Sequence, residues 1–430
     1  MSQAAPPNST GSPPPYTHGP YAILHNRDFA CYLIGRLVAS FGQQMLAMAV
    51  GWELYERTGS ALALGFVGLA QMIPMIVFTL PAGHLADHSN RKHVIVLMTL
   101  CLAAVSLALT LISAWSAPVF WIYLCLFIAG TVRTFLWAAS ASFLPQLVAR
   151  GELARAVNWS SSTFQLSSIL GPAVAGAMLG WTRHAAWVYG LNVVAALTCC
   201  VLVGLVRQHH VAVVKEKLSL KTLLTGFHFV FANKIVCGII TLDMFAVLLG
   251  GATALLPVYA KEILRVGPGW LGLLQTALPL GAIVCSFILA HRPPLQQAGR
   301  GLLWAVTAFG LATIVFGLSQ WYWLSFAMLF ACGAVDNVSV VVRHTLVQLL
   351  TPNEKRGRVS AVNNLFIGTS NELGGFESGA VAHWFGPAIG HTIAMGAMIS
   401  VVSGGVGTLL VVAAIALLWP EIRNYGRLDG

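Results

Sequence analysis

The sequence predicts an all-α membrane protein with twelve transmembrane helices in two pseudo-symmetric six-helix bundles. Three observations carry that prediction. Of 430 residues, 57% are apolar and only 9% are charged, against about 25% charged in a soluble domain. The apolar residues gather into twelve runs, each close to the ~20 residues that a helix needs to cross a bilayer. The last six runs repeat landmarks of the first six at an offset of about 205 residues, as a tandem duplication does.

In chain order, residues 1–26 are expected to be a disordered cytoplasmic tail. Met1 to Pro20 is rich in Pro, Ser, Gly and Asn, a composition that cannot bury a core. It lacks the basic segment and apolar core of a signal peptide. Spans 1 to 6 are placed near 29–55, 61–82, 93–114, 117–140, 157–180 and 185–206, making an N-terminal bundle over 27–206. A linker follows over 207–234. In it Leu220, Leu223, Leu224, Phe227 and Phe231 recur at helical spacing, the pattern of an amphipathic helix lying on the membrane surface. Spans 7 to 12 are placed near 235–260, 269–290, 301–318, 321–343, 359–382 and 391–418, making a C-terminal bundle over 235–418, with a short cytoplasmic tail over 419–430. The connections between spans 3 and 4, 5 and 6, and 9 and 10 are short enough to require tight helical hairpins.

The loops after even-numbered spans hold Arg91, Lys92, Arg150, Arg155, Arg207, Lys215, Lys217, Lys221, Lys234, Arg292, Arg300, Lys355, Arg356 and Arg358. The opposite loops hold only Arg57, Arg183, Lys261 and Arg265. The positive-inside rule therefore puts both termini in the cytoplasm. The same bias accounts for the net charge of +10, so no nucleic-acid partner is expected; the bilayer is the expected environment. The eight cysteines lie almost all within apolar runs without metal-ligand spacing, as buried small hydrophobes do.

The repeat is visible in particular residues. Gly130-Thr131-Val132-Arg133 corresponds to Gly333-Ala334-Val335-Asp336, Ala156-Val157-Asn158 recurs as Ala361-Val362-Asn363, and Gly171 and Gly176 match Gly374 and Gly379. Two parallel six-helix repeats make a transporter architecture with a site near the midplane. Gly83 to Lys92 reads as a short charged turn between spans 2 and 3, able to hold an ion pair between Asp87 and Arg91.

A charge at the centre of a membrane helix costs about 2.5–3.5 kcal/mol and so needs a reason. Span 1 carries Arg36, Ser40, Gln43 and Gln44, span 4 Arg133, span 7 Asp243, and span 10 Asp336 and Arg343. Arg133 and Asp336 occupy equivalent repeat positions with opposite sign, which suggests that they face each other across the pseudo-two-fold axis. Such a pair either couples a proton to rocking of the halves or merely fixes packing. Asp243 and Glu372 are the further proton-coupling candidates. Glu372 and Glu377 lie five residues apart, about 140° around a helix, and cannot form a side-by-side dyad. Glu53 and Glu56 fall near the outer end of span 1, where lining and plain surface are equally open readings.

The chain resembles the major facilitator superfamily. Gly83, Leu85, Ala86, Asp87, Arg91 and Lys92 match that family's loop 2–3 motif, while His88 replaces the usual Arg and Asn90 the usual Gly. Asn is the non-glycine residue that best tolerates a left-handed turn, and His88 introduces a group that titrates near neutrality. The resemblance implies that this loop locks the cytoplasmic side closed. It also implies that helices 1, 4, 7 and 10 line the cavity, which makes Arg36, Gln43, Gln44, Arg133 and Arg343 lining candidates. Gly171, Pro172 and Gly176 partly match the family's helix-5 antiporter motif, with Ser167 where its first Gly is expected. Trp52-Glu53-Leu54-Tyr55, residues 248–257, residues 356–363 and residues 371–379 look most like the branch of bacterial efflux proteins that includes the enterobactin exporter.

The resulting expectation is a monomeric, proton-coupled exporter of an amphiphilic siderophore or drug-like molecule in a bacterial inner membrane. Uptake, facilitated transport and a non-transporting receptor or scaffold are the alternatives. No enzymatic activity, metal or cofactor is expected, since no phosphate-cradling Gly-rich motif and no metal-spaced His cluster occurs.

Overall fold

The computed structural model describes residues 21–207, 227–292, 297–352, 355–423 and 426, the side chains of Ala22, Asp87, Arg150, Arg356 and Ala361 excepted. Residues 1–20 of the expected N-terminal tail, the linker from 208 to 226, and residues 424, 425 and 427–430 lie outside the described residues; residues 21–26 of that tail are described and form a 3-10 turn at Ala22–His25, with Ile23 buried.

Among the described residues, twelve long helical segments follow one another: α1 (Arg27–Thr58), α2 (Ala61–His88), α3 (Arg91–Ala114), α4 (Phe120–Leu147), α5 (Leu153–Thr182), α6 (Ala185–Gly204), α7 (Lys234–Leu249, with an irregular extension to Ile263), α8 (Pro268–Ala290), α9 (Ala298–Leu318), α10 (Tyr322–Leu350), α11 (Arg356–Trp384) and α12 (Ile393–Leu418). This is the fold the sequence predicts, and the chain is a multi-pass membrane protein. Eleven of these segments are long and apolar enough to cross a membrane. The exception is α11. At 29 residues it is about 44 Å long, but Arg358, Asn363, Asn364, Asn371, Glu372 and Glu377 interrupt its apolar surface. Packing against α2, α7 and α12 keeps it among protein rather than lipid.

Local signals set the helix ends. Asn26 caps α1 by accepting hydrogen bonds from the backbone N–H groups of Asp28 and Phe29, and Gly59 ends it at φ 58°, the left-handed turn that glycine permits. Ser60 caps α2 and Thr392 caps α12 in the same way. Each side-chain oxygen replaces a helical acceptor that the first turn lacks.

Two corrections concern these ends. Gly83 to His88 is not a turn: α2 continues through it, and only Ser89 and Asn90 separate α2 from α3. Asn90 is extended rather than left-handed (φ −67°, ψ 108°), and its side chain caps α3 by accepting from Lys92 N–H. The requirement at this position is for an N-cap oxygen, not for positive φ.

The seventh span, expected to be one continuous helix, is broken. It leaves α-geometry after Leu249, passes through a 3-10 turn at Ala252–Leu255, and ends in a π-helical turn at Tyr259–Ile263. Gly250 and Gly251 weaken the helix locally, and Pro257 cannot donate a backbone hydrogen bond.

In the first half α2 packs on α4, α1 on α5 and α6, and α3 on α4 and α6; in the second, α8 packs on α10, α9 on α10 and α12, and α11 on α7 and α12. The halves meet along two seams, α2 with α11 and α5 with α8. Contacts at one end of the bundle join the start of α1 to the ends of α4 and α6, and the start of α3 to the end of α6: Asn26 Nδ2 donates to Leu147 O (2.9 Å), Arg207 N to Asp28 Oδ1 (3.1 Å) and Lys92 Nζ to Val206 O (2.7 Å). This is the basic end. The opposite end holds the α1–α2, α3–α4, α5–α6, α7–α8, α9–α10 and α11–α12 connections and is the far end.

Candidate functional site

The interior of the second half holds a compact charged site. Arg343 on α10 forms an ion pair with Asp243 on α7, their side chains 4% and 9% exposed. That degree of burial decides the nature of the pair: it is shielded from water and cannot be a solvated surface contact. One cavity, large enough for an ordered water, is lined by both carboxylates Asp243 and Asp336, by Ser339, and by apolar Val247, Val306 and Phe309. Asp336 is half-buried there, and among the described residues it makes no ion pair or hydrogen bond. Asp243 and Asp336 thus border one compartment, and Asp243 is paired with Arg343.

Arg133 does not oppose Asp336, which corrects the expectation from the repeat. Asp336 turns into the second bundle, toward α7 and α9. The charge that Arg133 interacts with is Glu372 of α11. The repeat fixes equivalent heights for residues 133 and 336, but the azimuth of each helix decides what each side chain meets. Arg133 and Glu372 bring opposite charges from the two halves close to the α2–α11 seam. In that seam the carbonyl of Glu372 lies so near Gly68 that any Cβ there would overlap it.

The other lining candidates divide. Gln44 Nε2 donates to Ser168 Oγ (2.6 Å), so it joins α1 to α5 within the first half. Arg36 interacts electrostatically with Tyr32 and with Cys199 of α6. Gln43 is half-buried.

At the helix-5 motif, Gly171 lies against α1, where a Cβ would meet Gln44 Cβ at 2.5 Å, and Gly176 lies against α8, where it would meet Pro268 O at 2.5 Å. The Pro172 carbonyl in turn abuts Gly272. Small residues on both helices let the backbones touch, which closes the α5–α8 seam in its far-end portion. The ring pair Phe66–Phe376 (centroids 5.8 Å apart) closes the α2–α11 seam toward the same end.

At the basic end, Arg91 Nε donates to the Ala86 carbonyl (3.3 Å) and so satisfies the C-terminus of α2. His88 is exposed and stacks on His84 (centroids 4.1 Å). Gly83 is buried. The Asp87 side chain lies outside the described residues, so the expected Asp87–Arg91 pair is not among the contacts described.

The sequence pattern left one acidic residue ambiguous that the structure places at the centre of a network. Glu53 is 6% exposed, so it is core rather than surface. Its Oε1 pairs with Arg57 Nη2 (2.6 Å) and accepts from Ser113 Oγ (2.7 Å), and its Oε2 accepts from the Tyr189 phenol OH (2.6 Å). Arg57 also donates to the carbonyls of Ala117 (3.0 Å) and Ser113 (3.2 Å). The signal available in the sequence was the i,i+4 spacing of Glu53 and Arg57.

The Major Facilitator Superfamily model matches residues 32–375, and the chain belongs to that superfamily. The enterobactin exporter EntS of Escherichia coli (strain K12) is 27% identical over 418 residues, which cover 92% of this chain and 93% of the exporter. EntS of Shigella boydii serotype 18 is similar to the same extent. Among solved structures, a bacterial homolog of the human lysosomal transporter Spinster, inward-facing and unoccupied, superposes with a TM-score of 0.73 at 16% identity, covering 93% of this chain and 98% of that one. The nucleoside transporter NupG gives a TM-score of 0.71 at 11% identity, covering 91% of this chain and 99% of that one.

Proposed function

We propose that this major facilitator protein is a proton-coupled exporter. It would move an amphiphilic small molecule, a siderophore or drug-like compound, out of the bacterial cytoplasm by alternating access. It works as a single chain in the inner membrane, with the basic end cytoplasmic as the loop charges require. Similarity to the enterobactin exporters supports the direction and the substrate class.

The observation that carries proton coupling is Asp336. It is a membrane carboxylate without an ion-pair partner among the described residues, on a cavity shared with the Asp243–Arg343 pair. With Asp336 ionised, two carboxylates border that compartment, and the Arg343 guanidinium is already paired with one of them, Asp243. A proton on Asp336 makes it neutral, which removes the cost of enclosing an unbalanced charge, about 2.5–3.5 kcal/mol on insertion scales. Proton binding therefore favours whichever state seals the compartment from water, and release favours the other. Asp243, held by Arg343, is the fixed anion of this arrangement. Arg133 and Glu372, one on each half, stabilise the approach of the halves and supply polar groups to the route between them. At the basic end, Asp87, Arg91 and Lys92 latch the inner gate in the state closed to the cytoplasm.

The test is substrate-dependent proton release from acid-loaded everted vesicles containing a pH-sensitive dye. Siderophores and lipophilic cations are screened in parallel. Dequenching with the unmodified protein that is lost in Asp336→Asn is the expected result. Full dequenching in Asp336→Asn would remove Asp336 from the coupling role.

A further inference from the structure

We infer that Tyr55 and Glu262 form a far-end gate tether, a polar bond between the halves that must break each time the protein opens toward the far end. The inference rests on transport by alternating access, not on the direction of transport or on proton coupling.

The geometry joins two residues 207 positions apart: Tyr55 OH, at the end of α1, donates to Glu262 Oε1 at 3.0 Å. A second contact reinforces the first, since the Lys261 ammonium lies over the Tyr55 ring, 5.7 Å from its centroid. A cation over an aromatic face is attracted to its quadrupole. Tyr55 is 1% exposed, so the closed gate hides its phenol from water.

Each side of the tether is braced within its own half. On the first half, Glu53 and Arg57 flank Tyr55 on α1. They fasten that helix end to Ser113 and Ala117 at the end of α3 and to Tyr189 of α6. On the second half, Lys261 and Glu262 sit in the π-helical turn Tyr259–Ile263. Its first residue is anchored: Tyr259 OH donates to the Gly317 carbonyl at 3.0 Å, and its ring stacks on Phe316 with centroids 4.7 Å apart. A π-turn places one more residue in the helical circuit than an α-turn does and re-aims the side chains within it. Here it presents Lys261 and Glu262 to α1.

The bracing has a mechanical consequence. With both helix ends held, relative motion of the halves at the far end beyond the reach of the exposed Glu262 side chain breaks the bond. Other far-end contacts among the described residues, such as Gly176 on Gly272 and Phe66 on Phe376, are apolar or backbone contacts. They close the seam by shape, whereas the tether adds a directional hydrogen bond to a carboxylate, stronger than a neutral one. Tyr55 and Glu262 are therefore positioning residues that set the balance between far-end-closed and far-end-open states.

The test reads opening directly, without substrate or a proton gradient. Gly51 lies one turn before Tyr55, and an added Cβ there would sit at 3.5 Å from Pro257 Cγ, ordinary contact that a cysteine side chain tolerates. Gly51→Cys is introduced in the full chain with its eight native cysteines replaced by serine or alanine. Its labelling by a membrane-impermeant maleimide is timed from the far side in native membranes. Tyr55→Phe removes the donor hydroxyl, and Glu262→Ala removes the acceptor carboxylate. The expected result is an increase in labelling rate of about tenfold in each variant, the size of one hydrogen bond to a charged group. The double variant should be no faster than the faster single variant, because both changes remove the same bond. Rates unchanged from the reference in both single variants, zero labelling included, overturn the inference. So do single effects that multiply in the double variant. A negative result here leaves Asp336 and the vesicle assay untouched, and a negative vesicle assay leaves the gate intact.

Discussion

Removing Arg343 isolates one charge, and the loss can be predicted from burial. In Arg343→Met the α10 side chain keeps a similar length and its apolar contacts, but Asp243, 9% exposed at its side chain, loses its counter-charge. Breaking a buried pair by deleting one partner costs about 3–5 kcal/mol, because the remaining ion is neither solvated nor compensated. Replacing both partners with uncharged groups of similar shape is close to neutral. If the second bundle unfolds as a unit of domain size, each kcal/mol moves its midpoint by ~2–4 °C. Arg343→Met should then lower the thermal midpoint of the detergent-purified protein by roughly 6–20 °C. Asp243→Asn combined with Arg343→Met should recover most of that loss. The measurement is a thermal melt of all three proteins by intrinsic tryptophan fluorescence at one pH and one detergent concentration. A single variant as stable as the unmodified protein, or a double variant no better than the single, would refute the reasoning.

Three further outcomes follow from other contacts. Gly333→Leu places a side chain against the carbonyl of Leu278, which a Cβ already overlaps. It should cost ~1–3 kcal/mol or more through separation of α8 from α10, seen as a lower melting midpoint, while Gly190→Ala, with nothing within 4 Å of its Cβ, should leave the midpoint unchanged. Asn26→Ala removes the α1 cap together with the bond to Leu147 O, and about 1 kcal/mol of stability should go with it. Amide exchange at residues 28–30 should speed up first. Glu53→Gln keeps the shape of the far-end network but removes the charge that Arg57 and Tyr189 share. It should destabilise the protein more than Glu56→Gln does, because Glu56 is exposed and its charge is solvated. Equal melts for the two variants would count against a structural role for Glu53.

The number of spans, the basic end and the duplicated halves were legible in the sequence, because each depends on local composition summed over about twenty residues. The caps at Asn26, Ser60 and Thr392 emerge only with the structure, although a capping oxygen acts within three residues of itself. The candidate acids and cations were legible as a set, since any charge in an apolar run stands out. Their partners were not. Periodicity tells which residues of one helix share a face, but it does not say which helix that face meets. Arg133 and Asp336 occupy matching heights of two repeats, yet one interacts with Glu372 and the other turns toward α7 and α9. Asp243 and Arg343 lie 100 residues apart and meet only because the packing of the second bundle sets α7 beside α10. Glu53 stood open between lining and surface, and Tyr55 had no assigned contact, until α3, α6 and the π-turn after α7 were placed around them. Local chemistry therefore determined what the chain is made of and how it threads the membrane. Tertiary structure decided which charges neutralise each other, because electrostatic pairing over a few ångströms depends on helix rotation and neighbour identity, and neither is encoded in any single stretch of sequence.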